Sequence, residues 1–433
     1  MKVLVLGSGA REHALAHALA RSPRCTEVLV APGNAGMRNV ARVLPLPLDD
    51  LSALASAARE EGVALTVAGS EEPLVRGVWD VFDAAELRLV GPSAAAAALE
   101  GSKVFAKEFM RRYGIPTADF EVCEDLEAGL RAVLRRGFPQ VLKADGLAAG
   151  KGVHIVTSAA EAESSLRAMM VDGKYGEAGR RVVLETSLTG PEISVFALCD
   201  GYNYRLLGVA QDHKRAYDGD LGPNTGGMGA YSPVPGVGPE LLGEVVARVL
   251  VPTLAGMVDE GAPYRGFLYM GLMLTESGPQ LLEYNCRLGD PEAQVLLPRL
   301  DSDCLELLLA CDAGDVTAAP FHLAAGTALG VVVASGGYPD APRLGMPVHG
   351  LEAARRTGAD VYCAGVRADR DGLVTCGGRV CTVVGRGDDV AAARRAAYEA
   401  ASLIQIEGSF YRSDIGWRAL VEVGETTARR PSP

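Results

Sequence analysis

Short runs of branched apolar residues alternate with stretches of helical periodicity through the first hundred positions. Runs at 3–6, 28–31, 63–68 and 87–90 read as buried strands. Helical patterns lie between them at 11–20 and 51–61; in the second, Leu51, Leu54, Ala55 and Ala58 share one face. Strand and helix in alternation imply a parallel sheet with right-handed crossovers, a Rossmann-like domain. From Ser102 the pattern changes. A charged helix over 102–112, capped by its serine, runs to the break at Gly114-Ile115-Pro116. Strands at 141–144 and 153–156 flank a glycine-rich loop, and no helix opens after the glycines. A helix over 158–170, a strand over 181–185, a long glycine-rich stretch over 218–238, a helix over 240–260 and strands over 267–275 and 280–285 follow. Beyond about Phe321, strands at 328–334, 361–366 and 380–384 precede an amphipathic helix over 388–403, the pattern of a small α+β module. Residues 424–433 are polar and read as a frayed tail.

The length of 433 residues exceeds one core and predicts three or four domains. No uninterrupted apolar run approaches the roughly 18 residues of a membrane span. The first apolar run ends in a glycine turn followed by Arg11 and Glu12, unlike a signal peptide. The expectation is a cytoplasmic protein with no membrane partner. Nine cysteines without a Cys-x-x-Cys pair predict neither a disulfide framework nor a zinc site. A formal charge of −12 offers no net positive field for a phosphate backbone, which excludes a general nucleic-acid binder. Small phosphates can still be held by local loops.

Four segments carry candidate chemistry. Gly7-Ser8-Gly9-Ala10-Arg11-Glu12 follows the first strand and opens a helix, as a dinucleotide fingerprint does. Its sixth position is Glu12 rather than Gly or Ala, and the second strand lacks the acid that would hold a ribose. The turn therefore suggests the fold without a nicotinamide cofactor; its backbone N–H groups can serve another anion. His13 and His17 share a helix face and could bind metal, but no Glu follows His13 as in a zincin helix, and His17 reads as an ordinary helix residue. The stretch 143–153, Lys-Ala-Asp-Gly-Leu-Ala-Ala-Gly-Lys-Gly-Val, has glycines at 146, 150 and 152 that let backbone amides approach an anion. Lys143 at the strand end supplies fixed positive charge and Lys151 mobile charge. The spacing is not that of a Walker loop, and the segment predicts a phosphate lid rather than a plain hairpin.

In Glu283-Tyr284-Asn285, alternation along a strand puts the carboxylate and the amide on one face. That donor pair suits a hard cation such as Mg²⁺, which keeps other positions for water and phosphate. Arg287 shares the face if the strand continues. The fourth segment joins Gln211-Asp212-His213-Lys214-Arg215 to the glycine-rich run 222–233. Basic groups followed by hydroxyls and amides suit a phosphorylated sugar, although so long a glycine loop is costly to order.

Together these segments closely resemble the phosphoribosylamine–glycine ligase (glycinamide ribonucleotide synthetase) family of the ATP-grasp superfamily. The resemblance runs from Met1 to about Arg418. Its markers include Gly9-Ala10-Arg11-Glu12-His13-Ala14, Ala31-Pro32-Gly33-Asn34-Ala35-Gly36, the 143–153 loop, the 222–233 block, the 283–292 block and Asp414-Ile415-Gly416-Trp417-Arg418. The chain departs from the family pattern at Ser70, at Thr186-Ser187 in the adenine hinge, and at Pro191 beside Glu192.

The resemblance implies an α/β and α+β multidomain chain: a Rossmann-like domain over 1–101, an ATP-grasp fold over 102–317 with a mobile lid at about 117–190, a small α+β domain over 318–423 and a flexible tail. It implies ATP and Mg²⁺ (or Mn²⁺) as cofactors, glycine and 5-phosphoribosylamine as substrates, and a monomer. Lys103, Lys143, Gly146, Gly150, Lys151 and Gly152 would then serve the phosphates, Glu185 and Leu188 the adenine, and Glu192 the ribose. Glu283 and Asn285 would hold the metal. Lys143, Arg287, Asp212 and Lys214 become the catalytic candidates. Gly9, Arg11, Glu12, Asn224, Thr225, Gly226, Gly227, Met228, Arg287, Gly289 and Asp290 become the second-substrate candidates. The implied reaction activates glycine as glycyl phosphate and leaves ADP and phosphate. Alternatives are another ATP-grasp carboxylate–amine ligase of purine synthesis, against which the 224–233 block argues, and a nucleotide-binding sensor that does no ligation.

Overall fold

The computed structural model describes residues 1–148, 152–422 and 424. Its N-terminal part is a five-stranded, wholly parallel sheet in the order Arg42–Val43, Glu27–Pro32, Lys2–Gly7, Val63–Ala68, Leu89–Val90. The central strand is buried on both faces, Leu4 and Leu6 in one apolar cluster and Val3 and Val5 in another. That is why it reads as an unbroken apolar run rather than an alternating one. The helices Ala10–Ala20 and Leu51–Glu60 cover this sheet where periodicity placed them.

Eight strands form the second sheet, antiparallel throughout: Gly278–Asn285, Arg265–Thr275, Glu192–Asp200, Tyr204–Asp212, Gly229–Ser232, Thr327–Ala334, Arg379–Gly387 and Asp360–Cys363. It runs across residue 318, so strands on both sides of that expected boundary share one ladder. The glycine-rich stretch 218–238 is therefore not loop throughout. Gly229–Ser232 is a fully buried strand between two others, and pairing on both edges offsets the ordering cost that its glycines raise. The run expected as one strand at 361–366 is two. Asp360–Cys363 joins the large sheet, and Val366–Asp369 pairs with Gly372–Thr375 in a small separate sheet. The break falls where Gly365 crosses Gly377: a Cβ on Gly365 would lie 2.7 Å from the Cα of Gly377, so the backbone bends where two glycines touch.

A third unit is the antiparallel sheet Phe120–Cys123, Val182–Thr186, Gln140–Ala144, Val153–Val156. Helices Leu126–Arg136 and Ala159–Met170 pack on it, capped by Asp125 and Ser158, and together they enclose their own apolar core. Asp145 ties this unit to the helix Lys103–Arg112. Its carboxylate accepts from Ser102 Oγ at 2.8 Å, from the Val104 N–H at 3.1 Å and from Arg181 at 2.6 Å.

The helix expected over 240–260 is present, with a π segment at Val246–Leu250. Pro252 lacks an N–H and crowds the carbonyl four residues earlier, which widens the preceding turn. By length and composition this helix, Pro239–Asp259, could cross a membrane, although no long uninterrupted apolar run marks it in the sequence. Its Val245, Val249, Leu250, Leu254 and Met257 belong to the main core, and the Thr253 hydroxyl lies 2.5 Å from that of Tyr284.

Candidate active site

The three units meet at a cleft of about 320 Å³ that reaches from Arg11 to Lys103, Lys143, Glu283 and Arg379. It continues into a chamber of about 210 Å³ behind the lid sheet; Lys143, Glu185, Lys214, Tyr269 and Glu283 line both. Val141, Ile155, Leu188, Leu272 and Met273 give the second chamber apolar walls, and Thr186, Ser187, Glu192 and Asn224 give it polar ones. A flat base between apolar walls with polar groups at one end is the arrangement a nucleotide needs.

Glu185 lines this chamber and also has a second set of partners. It pairs across the lid strands with Val141, two residues from Lys143 and on the same face of the sheet. Its carboxylate lies 3.0 Å from Lys143 and 3.0 Å from Lys107, and Lys143 also donates to the Leu282 carbonyl at 3.1 Å. Burial alone would raise the Glu185 carboxyl, but the two ammonium groups hold it below its ordinary value. Lys107 is pushed down to about 8 by its burial and by Lys143, with Glu185 opposing. Glu185 thus fixes two cations at the mouth of this chamber. Lys103 reaches the glycine loop, donating to the Gly146 carbonyl at 3.1 Å. Gly152 lines the cleft. Gly150 and Lys151 lie outside the described residues.

On the strand Gly278–Asn285, Tyr284 turns into the core while Glu283 and Asn285 turn into the cleft, the expected alternation. Among the described residues no hydrogen bond or ion pair engages either side chain. A carboxylate and an amide oxygen, side by side and uncommitted, fit a hard divalent ion that takes its remaining ligands from phosphate and water. The strand ends at Asn285, so Arg287 reaches the cleft from the turn that follows.

The hairpin after Tyr204–Asp212 brings Lys214 to 2.8 Å from Glu192 and 3.1 Å from Asp212. Those two carboxylates hold the Lys214 ammonium well above its ordinary value despite burial. Thr225 closes the hairpin: its N–H and hydroxyl both donate to the Lys214 carbonyl, and the hydroxyl accepts from the Gly227 N–H at 3.0 Å. Arg418 donates to the Asp212 carbonyl and pairs with Asp220. Fully buried Arg412 pairs with Asp220 and Asp414. The marker segment 414–418 therefore pins this hairpin rather than entering the cleft.

At the far end, Arg287 is held by Glu71 at 3.1 Å and Glu100 at 3.3 Å. Burial pushes Glu100 up, whereas Glu71, half-buried, is held down at about 2 by Arg287 and Arg11. Asp290 faces Arg379 at 3.3 Å and accepts from Gln294 at 2.7 Å. Arg379 also donates to the Gly226 and Asp290 carbonyls, at 2.6 and 2.7 Å. Arg11, Gly226, Gly289 and Asp290 line the cleft as expected.

Several expected contacts take another form here. Glu12 is spent inside its own turn, accepting from the Gly9 N–H and from Arg11 Nε, each at 2.6 Å, and its stem fills the space above Gly7 and Gly69. Gly9 therefore gives its N–H to Glu12 and stands against the Asp290 carboxylate. Met228 is fully buried in the main core, and Gly227 packs against Pro291. His13 is a structural residue: its Nδ1 accepts from the Cys363 N–H at 2.9 Å, and burial with Arg355 holds it neutral, down at about 3. His17 packs edge-on against Tyr362. Among the described residues no group of three or more His, Cys, Asp or Glu forms a metal cluster.

Lys107, Glu71, Glu100, Tyr269, Glu292 and Arg379 also line the cleft, and sequence reasoning passed over them. Only Lys107 carried a local signal, four residues after Lys103 on the same helix face. The rest are defined by partners far away in the chain.

A cleft of this make-up, between the two large sheets of the body and a β-sheet lid, defines an ATP-grasp ligase. Three family models cover nearly the whole chain: Phosphoribosylglycinamide synthetase N domain at 1–100, its ATP-grasp (A) domain at 101–293 and its C domain at 328–418. The chain belongs to the phosphoribosylamine–glycine ligase family. It is 48% identical to the Phosphoribosylamine--glycine ligase of Xanthomonas campestris pv. campestris over 432 residues, 99% of this chain and 100% of that protein. The enzyme of the same name from Chlorobaculum tepidum is 48% identical over 431 residues, 97% and 100% of the two chains. Among solved structures, Phosphoribosylamine--glycine ligase from Thermotoga maritima superposes with a TM-score of 0.83 at 38% identity, covering 96% of this chain and 100% of that one. The biotin carboxylase domain of Hydrogenobacter thermophilus 2-oxoglutarate carboxylase, solved with MgADP and bicarbonate, shares the fold with a TM-score of 0.72 at 19% identity, covering 95% and 91%.

Proposed function

We propose that this protein joins glycine to the 1-amine of 5-phosphoribosylamine at the expense of ATP, giving glycinamide ribonucleotide, ADP and phosphate through glycyl phosphate. The observation that carries the reading is the uncommitted Glu283/Asn285 pair beside Lys143, at the junction between the nucleotide chamber and the larger cleft. Full-length similarity to ligases of that name agrees with it.

The residues divide the work by position. The chamber behind Val141 and Leu188 takes the base, and Glu192 at its end suits the ribose. Lys143 and Lys107, held by Glu185, face the phosphates with charge fixed before substrate arrives, so little reorganisation is needed when the phosphoryl group moves. Glu283 and Asn285 would hold Mg²⁺, or Mn²⁺ in its place, which would offset charge on the transferring phosphoryl group. A glycine carboxylate oxygen attacks the γ-phosphorus, the bond to ADP breaks, and glycyl phosphate forms. The ribosyl amine then attacks the carbonyl carbon, phosphate leaves with that oxygen, and the nitrogen gives up one proton. The cleft between Arg11, Arg287, Asp290 and Arg379 is left for the phosphorylated sugar. The lid sheet excludes water from the acyl phosphate.

The test is purified protein with ATP, Mg²⁺, ¹⁸O-carboxylate glycine and fresh phosphoribosylamine. One label should pass to inorganic phosphate per amide formed. Label in AMP would replace the acyl phosphate with an adenylate. ATP bound without any product would leave a sensor instead of a ligase.

A further inference from the structure

Among the described residues two carboxylates of this cleft make no ion pair, Glu283, already placed in the metal pair, and Glu292. Glu292 precedes the helix Ala293–Leu296 but makes no capping hydrogen bond to it. It is 4% exposed and lines the same cleft as Glu283 and Asn285. Its side-chain neighbour is Ser194 Oγ, 3.2 Å from Oε1 and 3.0 Å from the Tyr269 hydroxyl oxygen. Ser194 has one proton to share between those two acceptors.

The nearest cations are already committed. Lys214 sits between Glu192 and Asp212, and Arg287 between Glu71 and Glu100. Burial and the charge of Asp212 push the Glu292 carboxyl up to about 7, with Lys214 and Arg287 offsetting only part. A buried carboxylate without a partner costs several kcal/mol, so one kept at a cleft wall implies a cation that arrives from outside.

Glycine carries such a cation. Its carboxylate must reach about 3–3.5 Å from the γ-phosphorus to react, which places it beside Glu283 and Asn285. Its ammonium is only two bonds from that carboxylate carbon, so its acceptor must stand next to the metal pair. Tyr269 lies opposite Asn285 in the strand register and is linked through Ser194 to Glu292. Resting on the ligase reading above, we infer that Glu292 accepts the ammonium of the glycine substrate, with the Tyr269 hydroxyl beside it. An acid without the ammonium, such as acetate, would leave Glu292 unpaired and is rejected for that reason.

The test uses the full-length enzyme and its Glu292→Gln and Glu292→Asp variants. Glycine binding is measured by calorimetry with Mg²⁺ and a non-hydrolysable ATP analogue, and KM is measured for each substrate. For Glu292→Gln, glycine Kd and KM should rise about 100-fold, the scale of losing one side of a buried charge pair. Analogue affinity, which reports folding, should stay within about twofold of wild type because the nucleotide chamber is untouched. Glu292→Asp keeps the charge but withdraws it by one methylene and should fall between the two. Unchanged glycine affinity in Glu292→Gln overturns the inference. So does a lower kcat at unchanged glycine KM, which would make Glu292 a proton acceptor, or a raised Mg²⁺ requirement, which would make it a metal ligand. A wild-type enzyme that neither binds glycine nor forms amide would overturn the ligase reading itself.

Discussion

The Glu185 carboxylate and the Lys107 ammonium stand 3.0 Å apart with only 2% of either side chain exposed, and Lys143 approaches the same carboxylate at the same distance. Glu185→Gln leaves two buried ammonium groups without their anion. It should cost about 3–5 kcal/mol of stability, the usual result of breaking a buried pair from one side. Urea denaturation of the variant checks this, and a loss below about 1 kcal/mol would show that both lysines find solvent or phosphate instead.

The same triad ranks the lysines. Lys143 is fixed by Glu185 and the Leu282 carbonyl, and Lys107 by Glu185 and the Thr117 hydroxyl at 2.6 Å. Lys143→Met should lower kcat/KM for ATP by about 100-fold or more, as loss of a preorganised electrostatic group does. Lys107→Met should follow with about 10-fold, acting mainly through the position of Glu185. Lys151→Met should have the smallest effect. Equal and mild effects in initial-rate kinetics would remove the triad from the phosphate site.

Glu283→Gln keeps the shape of the strand end and removes one charge from the metal pair. Turnover at saturating substrates should fall about 100- to 1000-fold, and the Mg²⁺ concentration for half-maximal rate should rise. Near-normal turnover at any Mg²⁺ concentration would take Glu283 out of the metal site.

Glu292 gives a pH signature in stability. Its folded-state carboxyl is raised to about 7 against an ordinary 4.5. Below about pH 4 both states hold the proton and the group is neutral to stability. As pH rises through this interval the unfolded chain ionises first, so the folded state loses stability progressively until about pH 7. Glu292→Gln should therefore raise stability on the order of 2 kcal/mol at pH 8, with the gain shrinking toward zero near pH 4. Thermal melts at both pH values check the sign. A gain that grows on acidification would contradict it.

Much of the molecule was legible in the sequence because it is specified locally. The apolar runs at 3–6 and 63–68, the serine cap at 102 and the alternation of Glu283 with Tyr284 each depend on residues a few positions apart. Strand, helix start and shared face therefore appeared where periodicity and capping put them. Strands Gln140–Ala144 and Val153–Val156 likewise stand on either side of the glycine-rich run.

The tertiary structure decided which of these groups are partnered, because that depends on neighbours brought from other parts of the chain. The sequence placed Glu185 beside the base but gave no sign that its carboxylate pairs with Lys107 and Lys143. Glu12 looked like a ligand until it folded onto Gly9 and Arg11. Met228 looked like part of a binding loop until strands on both sides buried Gly229–Ser232 and drew its side chain into the core. Arg379 enters the cleft from 153 residues beyond Gly226, and Arg287 meets Glu71 across 216 residues. Strand and helix preferences are written in bonds along the chain, whereas a buried charge takes its meaning from the cation or anion opposite it. Only the packing of the three units supplies that opposite charge, and among the described residues it leaves Glu283 and Glu292 without an ion pair.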